Sequence, residues 1–425
     1  MFARAQRTGL MATRVARKAH VLCRARRCYA GYSSDKGSGG GRQFSVWECA
    51  AGMAVCAIGG AGAGAYLGTR RTEDELGSEV SRLNAHTTID IGSSDVTEAE
   101  YRTNDLRPMH DRMEAFVLDL QGRLVAALEG LDPSSQKFVW DRWERGDGHG
   151  YGISCVLQGG AALEKAGVNV SVISGTLAPG QLSSMRNRRA QAAGQLRGSE
   201  EYDFRVAGIS VVVHPRNPYA PTAHMNYRRF EVFPKGAAEG SAPVLSWFGG
   251  GADLTPAYLF PEDAQHFHQT LKDTCDAHDS SYYPRFKAWC DQYFTNVHRG
   301  ETRGVGGIFF DDLDDKDPER VFQFACDAGN AFIGAYVPLV ARRMGTAYTQ
   351  RQRDWQLIRR GHYAEFNLVY DRGTKFGLMT PGARIESILM SLPLTARWEY
   401  MNEPDPGSPE DVLLRAVRTT TDWTT

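Results

Sequence analysis

The chain has almost no net charge: 49 Lys and Arg stand against 50 Asp and Glu in 425 residues, a formal charge of −1. No overall basic field is available to attract nucleic acid, and a small substrate is expected. Beyond residue 101 there is no Cys-x-x-Cys pair. Cys155, Cys275, Cys290 and Cys326 are widely spaced there, which favours buried free thiols over disulfides or a zinc site. Gly-Lys-Ser/Thr is missing, and no Gly-x-Gly-x-x-Gly follows a strand and opens a helix. The glycine clusters at Gly148 to Gly152, Gly249 to Gly251 and Gly304 to Gly307 therefore do not make a nucleotide site. Neither His-x-x-x-His nor His-Glu-x-x-His occurs, and His266 and His268 diverge on an expected helix, so no metal-ligand set is legible. The start of the chain lacks acidic residues altogether until Asp35.

Over that acid-free start, Arg4, Arg7, Arg14, Arg17, Lys18, Arg24, Arg26 and Arg27 give residues 1–34 the composition of a mitochondrial transit peptide. Residues 35–101 read as a polar linker. Within it, the Gly/Ala-rich apolar run 46–67 has about the length that crosses a bilayer. It fits a sorting signal, an anchor or a hinge, and suggests delivery to the intermembrane space with possible inner-membrane association. The expected catalytic body is 102–425.

That body opens with Met113, Phe116, Val117, Leu120, Leu124 and Leu128 in one helical stripe, ended by Asp132-Pro133. Strands are expected over 137–145, 153–158, 168–173, two runs within 210–232, then 244–248 and 306–310. Helices are expected over 261–278, 282–298 and 318–344, the last apolar all round and hence buried. Strands come early and helices late, without βαβ alternation. The pattern predicts an α+β fold, a large sheet flanked by helices in a single domain.

The stretch from Ser210 to Val232 draws attention to itself. Alternation puts His224, Asn226 and Arg228 on one strand face and Met225 and Tyr227 on the other, with Ser210 and Val212 sharing a face on the preceding run. Pro215, Pro218 and Pro221 stiffen the connection. Downstream, Gly249-Gly-Gly-Ala-Asp253 is read as leaving a strand, its bare backbone open to a ligand and Asp253 at the rim. Arg303, Arg372 and Arg384 sit near glycines, a setting that suits bidentate carboxylate capture. Several cations, an acid or two and one histidine point to a polycarboxylate ligand.

Several long motifs then recur in order. Asp141-Arg-Trp-Glu-Arg145, Gly152-Ile-Ser-Cys-Val-Leu157, His224-x-Asn-Tyr-Arg228, Trp247-Phe-Gly-Gly-Gly-x-Asp-Leu-Thr-Pro256, Gly307-Ile-Phe-Phe-Asp-Asp-Leu313, Tyr370-Asp-Arg-Gly-Thr-Lys-Phe-Gly377 and Ser387 to Tyr400 resemble the oxygen-dependent coproporphyrinogen III oxidase family from about Leu106 to Trp423. The resemblance implies oxidative decarboxylation of two propionates of coproporphyrinogen III to vinyls, giving protoporphyrinogen IX, with O2 as co-substrate and no metal or organic cofactor. It also implies a homodimer around a large antiparallel sheet. Carried over by position, His224 is the proton donor and Asp253 the carboxylate that meets pyrrole N–H groups. Ser210, Asn226, Tyr227 and Arg228 form one substrate-binding segment, Gly382, Ala383 and Arg384 a second, and Arg303, Asp371 and Arg372 further pocket residues. A non-catalytic tetrapyrrole carrier, a structural membrane-attached protein and a plastid address are the alternatives to that reading.

Overall fold

In this computed structural model the described residues are 105–134, 136–146, 148–177, 201–238, 240–379 and 384–424. The expected transit peptide, linker and apolar run, and Gly382 and Ala383, lie outside them.

Helix α1 (Met109–Leu131) starts at Pro108, whose carbonyl accepts the first helical N–H bonds, and ends where Asp132 turns extended. It buries the stripe the sequence marks, from Met113 to Leu128. Six strands follow: β1 (Val139–Glu144), β2 (Gly150–Gln158), β3 (Leu163–Thr176), β4 (Tyr202–Pro215), β5 (Thr222–Pro234) and β6 (Leu245–Thr255). Each pairs antiparallel with the next, so the first six strands form an uncrossed meander. Helices α2 (Pro261–Asp276) and α3 (Tyr282–Tyr293) and the short pair β7 (Thr295–Asn296) and β8 (Glu301–Thr302) intervene before β9 (Gly306–Leu313), which completes a sheet of seven strands beside β6. The chain continues through α4 (Pro318–Arg343), α5 (Gln350–Glu365), one wide turn at Phe366–Tyr370, α6 (Arg372–Met379), α7 (Ile385–Leu389) and α8 (Pro409–Arg418). A large antiparallel sheet with helices confirms the α+β reading.

The two faces of the sheet differ in chemistry. One carries Leu157, Val168, Ile209, Val211, Met225, Tyr227, Leu254 and Phe310, fully or almost fully buried against α1, α2 and α4 in the main core. Burial on this scale is the dominant stabilising term, on the order of 2 kcal/mol for each large apolar side chain.

The opposite face is written in rows across paired strands. One row runs Asp141, Ser154, Asn169, Ser210, Asn226 and Gly251. The next runs Val156, Gly167, Val212, His224 and Asp253. A third runs Trp143, Gly152, Ser171, Gly208, Arg228 and Gly249. This face carries polar groups and glycines where a core would carry branched aliphatics, and the C-terminal elements lie over part of it. At one end it turns apolar again, where Phe230 and Trp247 stack at 4.5 Å and close the trough.

Two expectations need correction. The glycine run Gly249–Gly251 does not leave the sheet: β6 continues through it to Thr255. At Gly249 a Cβ would lie 2.7 Å from Asp311 Oδ1 and 2.8 Å from Arg228 Nη2, so the glycine makes room for a side chain crossing the sheet. The helix expected over 282–298 ends at Tyr293, because the chain turns there into β7.

Candidate active site

The polar rows floor a cavity lined by the sheet, by aromatic rings and by the C-terminal elements. Strands β4 and β5 supply Ser210, Val212, His224, Asn226 and Arg228. Across from them stand Tyr293, Phe294 and Phe309, then Tyr363, Asn367, Asp371 and Thr374, and finally Ser387, Ile388, Met390 and Ser391. Phe309 stacks on Tyr293 with ring centres 4.4 Å apart, giving the cavity a flat aromatic wall.

At its centre, His224 Nδ1 lies 2.9 Å from Asp253 Oδ1. These residues are direct partners across β5 and β6, so sheet register alone brings them together. Asp253 is also gripped by Arg303, whose Nη2 donates to both carboxylate oxygens at 2.8 Å. Burial pushes the Asp253 carboxyl upward, but the Arg303 charge and the His224 hydrogen bond outweigh it and hold the group below its ordinary value. Arg303 is buried as well. Burial acts against its charge, yet Asp253 more than compensates and raises its pKa further. Three rings surround the guanidinium, Phe294 at 4.1 Å, Tyr363 at 4.7 Å and Phe366 at 4.9 Å, a cage that suits a planar cation. Its Nη1 donates to Asn367 Oδ1 at 3.1 Å.

Asn367 belongs to the wide turn Phe366–Tyr370, closed by the Asp371 N–H donating to the Phe366 carbonyl at 2.9 Å. This i to i+5 turn interrupts the α-helical register directly after α5, and such turns cluster at functional sites.

Arg228 is the second cavity cation. It donates to Asn226 Oδ1 at 2.6 Å and to Asp311 Oδ1 at 2.7 Å. Asp311 sits where β9 is irregular against β6: Phe248 faces Leu313 while Gly250 faces Phe310, and Asp312 has φ +53°. The bulge turns Asp311 toward Arg228, the kind of re-aiming for which bulges are used beside sites. Asp371 caps α6, accepting from the Thr374 N–H and hydroxyl, both at 2.8 Å, and receives the Tyr293 hydroxyl at 3.1 Å.

Other expected residues stand elsewhere. Tyr227 does not reach the cavity: it points to the opposite face, fully buried in the main core beside Phe310. The same alternation that aims His224, Asn226 and Arg228 aims Tyr227 away. Arg372 does not line the cavity; its guanidinium rests on the Tyr293 ring at 4.8 Å. Arg384 pairs with Asp141 in a separate outer groove, shared with Lys165, Gln136 and Gln158. Asp253, expected at a rim, is 2% exposed, and His224 and Arg303 occupy its carboxylate. Asp311, Asn367, Tyr293, Tyr363 and Met390 were not singled out from sequence. Asp311 and Met390 lay inside quoted motifs and could have been; Tyr293, Tyr363 and Asn367 needed the helices folded over the sheet. Among the described residues, no cluster of three or more His, Cys, Asp and Glu side chains is placed to hold a metal ion.

The fold and site thus define an α+β protein with an aromatic-walled cavity in which a half-buried histidine meets a buried Asp–Arg pair. A family model described as Coproporphyrinogen III oxidase matches residues 112–423. The chain belongs to that family. It is similar to the oxygen-dependent coproporphyrinogen-III oxidase of Drosophila melanogaster, 52% identical over 77% of this chain and 82% of the relative. The mitochondrial enzyme of Mus musculus is 49% identical over 83% and 76%, and the chloroplastic one of Glycine max 50% over 77% and 82%.

Proposed function

We infer that this chain carries oxygen-dependent coproporphyrinogen-III oxidase activity in haem biosynthesis. Each turnover at one propionate converts –CH2–CH2–COO⁻, O2 and a proton into –CH=CH2, CO2 and H2O2, and two turnovers take coproporphyrinogen III to protoporphyrinogen IX. Family membership across most of the chain carries this conclusion, and the His224–Asp253–Arg303 cluster beside Arg228 supports assigning it to this cavity. Relatives named as oxidases give no support to a carrier role.

His224 is assigned the proton-handling role, oriented through Nδ1 by Asp253. Arg228, fixed by Asp311 and Asn226, has N–H donors left for a propionate. Ser210 and Asn226 contact the ring edge, and Tyr227 takes part only through its backbone. Asp253, whose negative charge lies beneath the cavity floor, favours an electron-poor edge such as pyrrole N–H on the substrate above it. Asp371 and Arg372 are assigned to further substrate contacts, Arg384 to the far propionates in the outer groove, and Gly382 and Ala383 to the same substrate-binding segment as Arg384. O2 reacts directly with the electron-rich macrocycle, and neither a metal nor an organic cofactor takes part.

The single-domain homodimer is part of the same proposal. Exposed Trp398, Tyr400 and Met401, and a β1 edge that among the described residues pairs only on its β2 side, favour it. Localisation is proposed as the mitochondrial intermembrane space, with association to the inner membrane; a plastid address is the alternative, since relatives of both kinds exist.

The test is an aerobic assay of the body with coproporphyrinogen III, with and without a chelator, following divinyl product, CO2 and H2O2. Product formation insensitive to chelator is expected. Binding without product would overturn the enzymatic reading, and loss of rate on chelation would overturn the cofactor-free one.

A further inference from the structure

We propose that Met390, seated over Gly167, is the partition that sets how far a macrocycle can slide along the sheet face, and so which part of it meets His224. The proposal rests on the tetrapyrrole reading above and adds a specificity-determining residue to it.

Met390 borders both the inner cavity and the outer groove, as does Ser387. Beneath it lies Gly167. A methyl group on Gly167 would overlap the Met390 sulfur and come within 3.1 Å of its terminal carbon. Both neighbours of Gly167 in its row, Val156 and Val212, carry side chains, so this glycine is a notch in the floor that the thioether fills. Met390 itself is 5% exposed.

The segment cannot evade a filled notch by sliding, because polar side chains of β2, β3 and β4 fasten it on either side. Asn169 Nδ2 donates to the Ser387 carbonyl at 3.3 Å, and Lys165 Nζ to the Leu389 carbonyl at 3.3 Å. The Ser154 and Ser387 hydroxyls are 3.1 Å apart. His214 Nε2 lies 3.0 Å from the Ser391 carbonyl and must be the donor there, which leaves Nδ1 to accept from the Thr222 hydroxyl at 3.3 Å. These bonds explain why the cavity face buries Asn169 and His214, which receive backbone carbonyls with no sheet partner, and Ser154, which meets the Ser387 hydroxyl.

In the same row, Gly167 pairs with Val212, and Val212 with His224. The notch therefore lies two strand spacings from the histidine, about 10 Å, comparable with the breadth of a tetrapyrrole ring. A ring meeting the partition there is stopped with its near edge at His224. Because Gly167 has ordinary strand backbone, alanine fits its conformation. The flexible thioether must then yield, and it can do so only into one of the two spaces.

Gly167→Ala, Met390→Ala and the double variant test this, with coproporphyrinogen III turnover, coproporphyrin III binding by fluorescence, and the 13C-methyl resonance of Met390 assigned by its loss in Met390→Ala. Gly167→Ala is expected to raise KM and weaken porphyrin binding by about tenfold with kcat little changed. The double variant is expected to return both to the Met390→Ala values, and the Met390 resonance should shift in Gly167→Ala even without ligand. Wild-type KM and binding in Gly167→Ala, or no relief in the double variant, would overturn the partition. An inactive, non-binding wild type would instead overturn the functional reading, and an unshifted Met390 resonance would still overturn the notch on its own.

Discussion

Arg303 meets Asp253 through a nitrogen 2.8 Å from each carboxylate oxygen, both side chains almost wholly withdrawn from solvent. The pair holds a charge at the cavity floor that water does not screen, and His224 reads that charge through its Nδ1 hydrogen bond. A buried pair of this kind is costly to break on one side only, since the surviving ion is left unpaired.

Asp253→Asn is therefore expected to lose most turnover and also about 3–5 kcal/mol of stability, because Arg303 loses its counter-ion. Arg303→Met in the same background should recover melting temperature without recovering kcat. If the double variant recovers both, Asp253 serves only to neutralise Arg303. The pH dependence has a definite sign: a depressed carboxyl stabilises the fold above its unfolded value, about 3.9, and that contribution is lost as pH falls through the lower folded value.

His224→Ala is expected to lower kcat by roughly 10²-fold while KM changes less, since Arg228 and the aromatic wall still bind the substrate. Steady-state kinetics across pH check it. An unchanged kcat with an unchanged pH–rate profile would remove His224 from proton transfer.

Gly249→Ala should act through Arg228. The added methyl intrudes between Arg228 and Asp311, at 2.8 Å and 2.7 Å from their nearest atoms. KM should rise by about tenfold, and overpacking should cost about 1–3 kcal/mol. Asp311→Asn should reproduce the KM change without the steric strain. Kinetics with thermal denaturation of both variants separates the two effects.

Glu301 makes a stability prediction away from the chemistry. Burial alone would raise its carboxyl, but His362 at 2.7 Å and Arg359 at 2.8 Å bring it down to about 2. Set against an ordinary glutamate, that depression amounts to about 3 kcal/mol of folding stability above about pH 4.3, lost between there and pH 2. Glu301→Gln should lose this stability at neutral pH and show a flatter acid limb in urea titrations between pH 5 and 3.

Much of the fold was legible because periodicity is a local property. The stripe from Met113 to Leu128 gave α1, and alternation from His224 to Arg228 gave the cavity-facing set together with the exclusion of Tyr227, which the family likeness had placed on the substrate. The glycine run misled for a physical reason. Glycine has low strand propensity, so Gly249–Gly251 reads as an exit, yet here it is the clearance that lets Arg228 reach Asp311 between paired strands. Arg384 was legible only as a cation beside glycines, and the folded chain adds that Asp141 lies beside it in the outer groove.

By itself, then, the sequence determined the class of fold, the family, and the face of β5 that carries the chemistry, since each follows from the order and alternation of side chains along the chain. Tertiary structure decided the rest. The pairing of β5 with β6 set Asp253 against His224, the β8–β9 connection brought Arg303 onto Asp253, and the return of the C-terminal segment set Asn367 and Met390 around them. Those relations depend on strand register and on contacts between residues far apart in sequence, which local pattern does not encode.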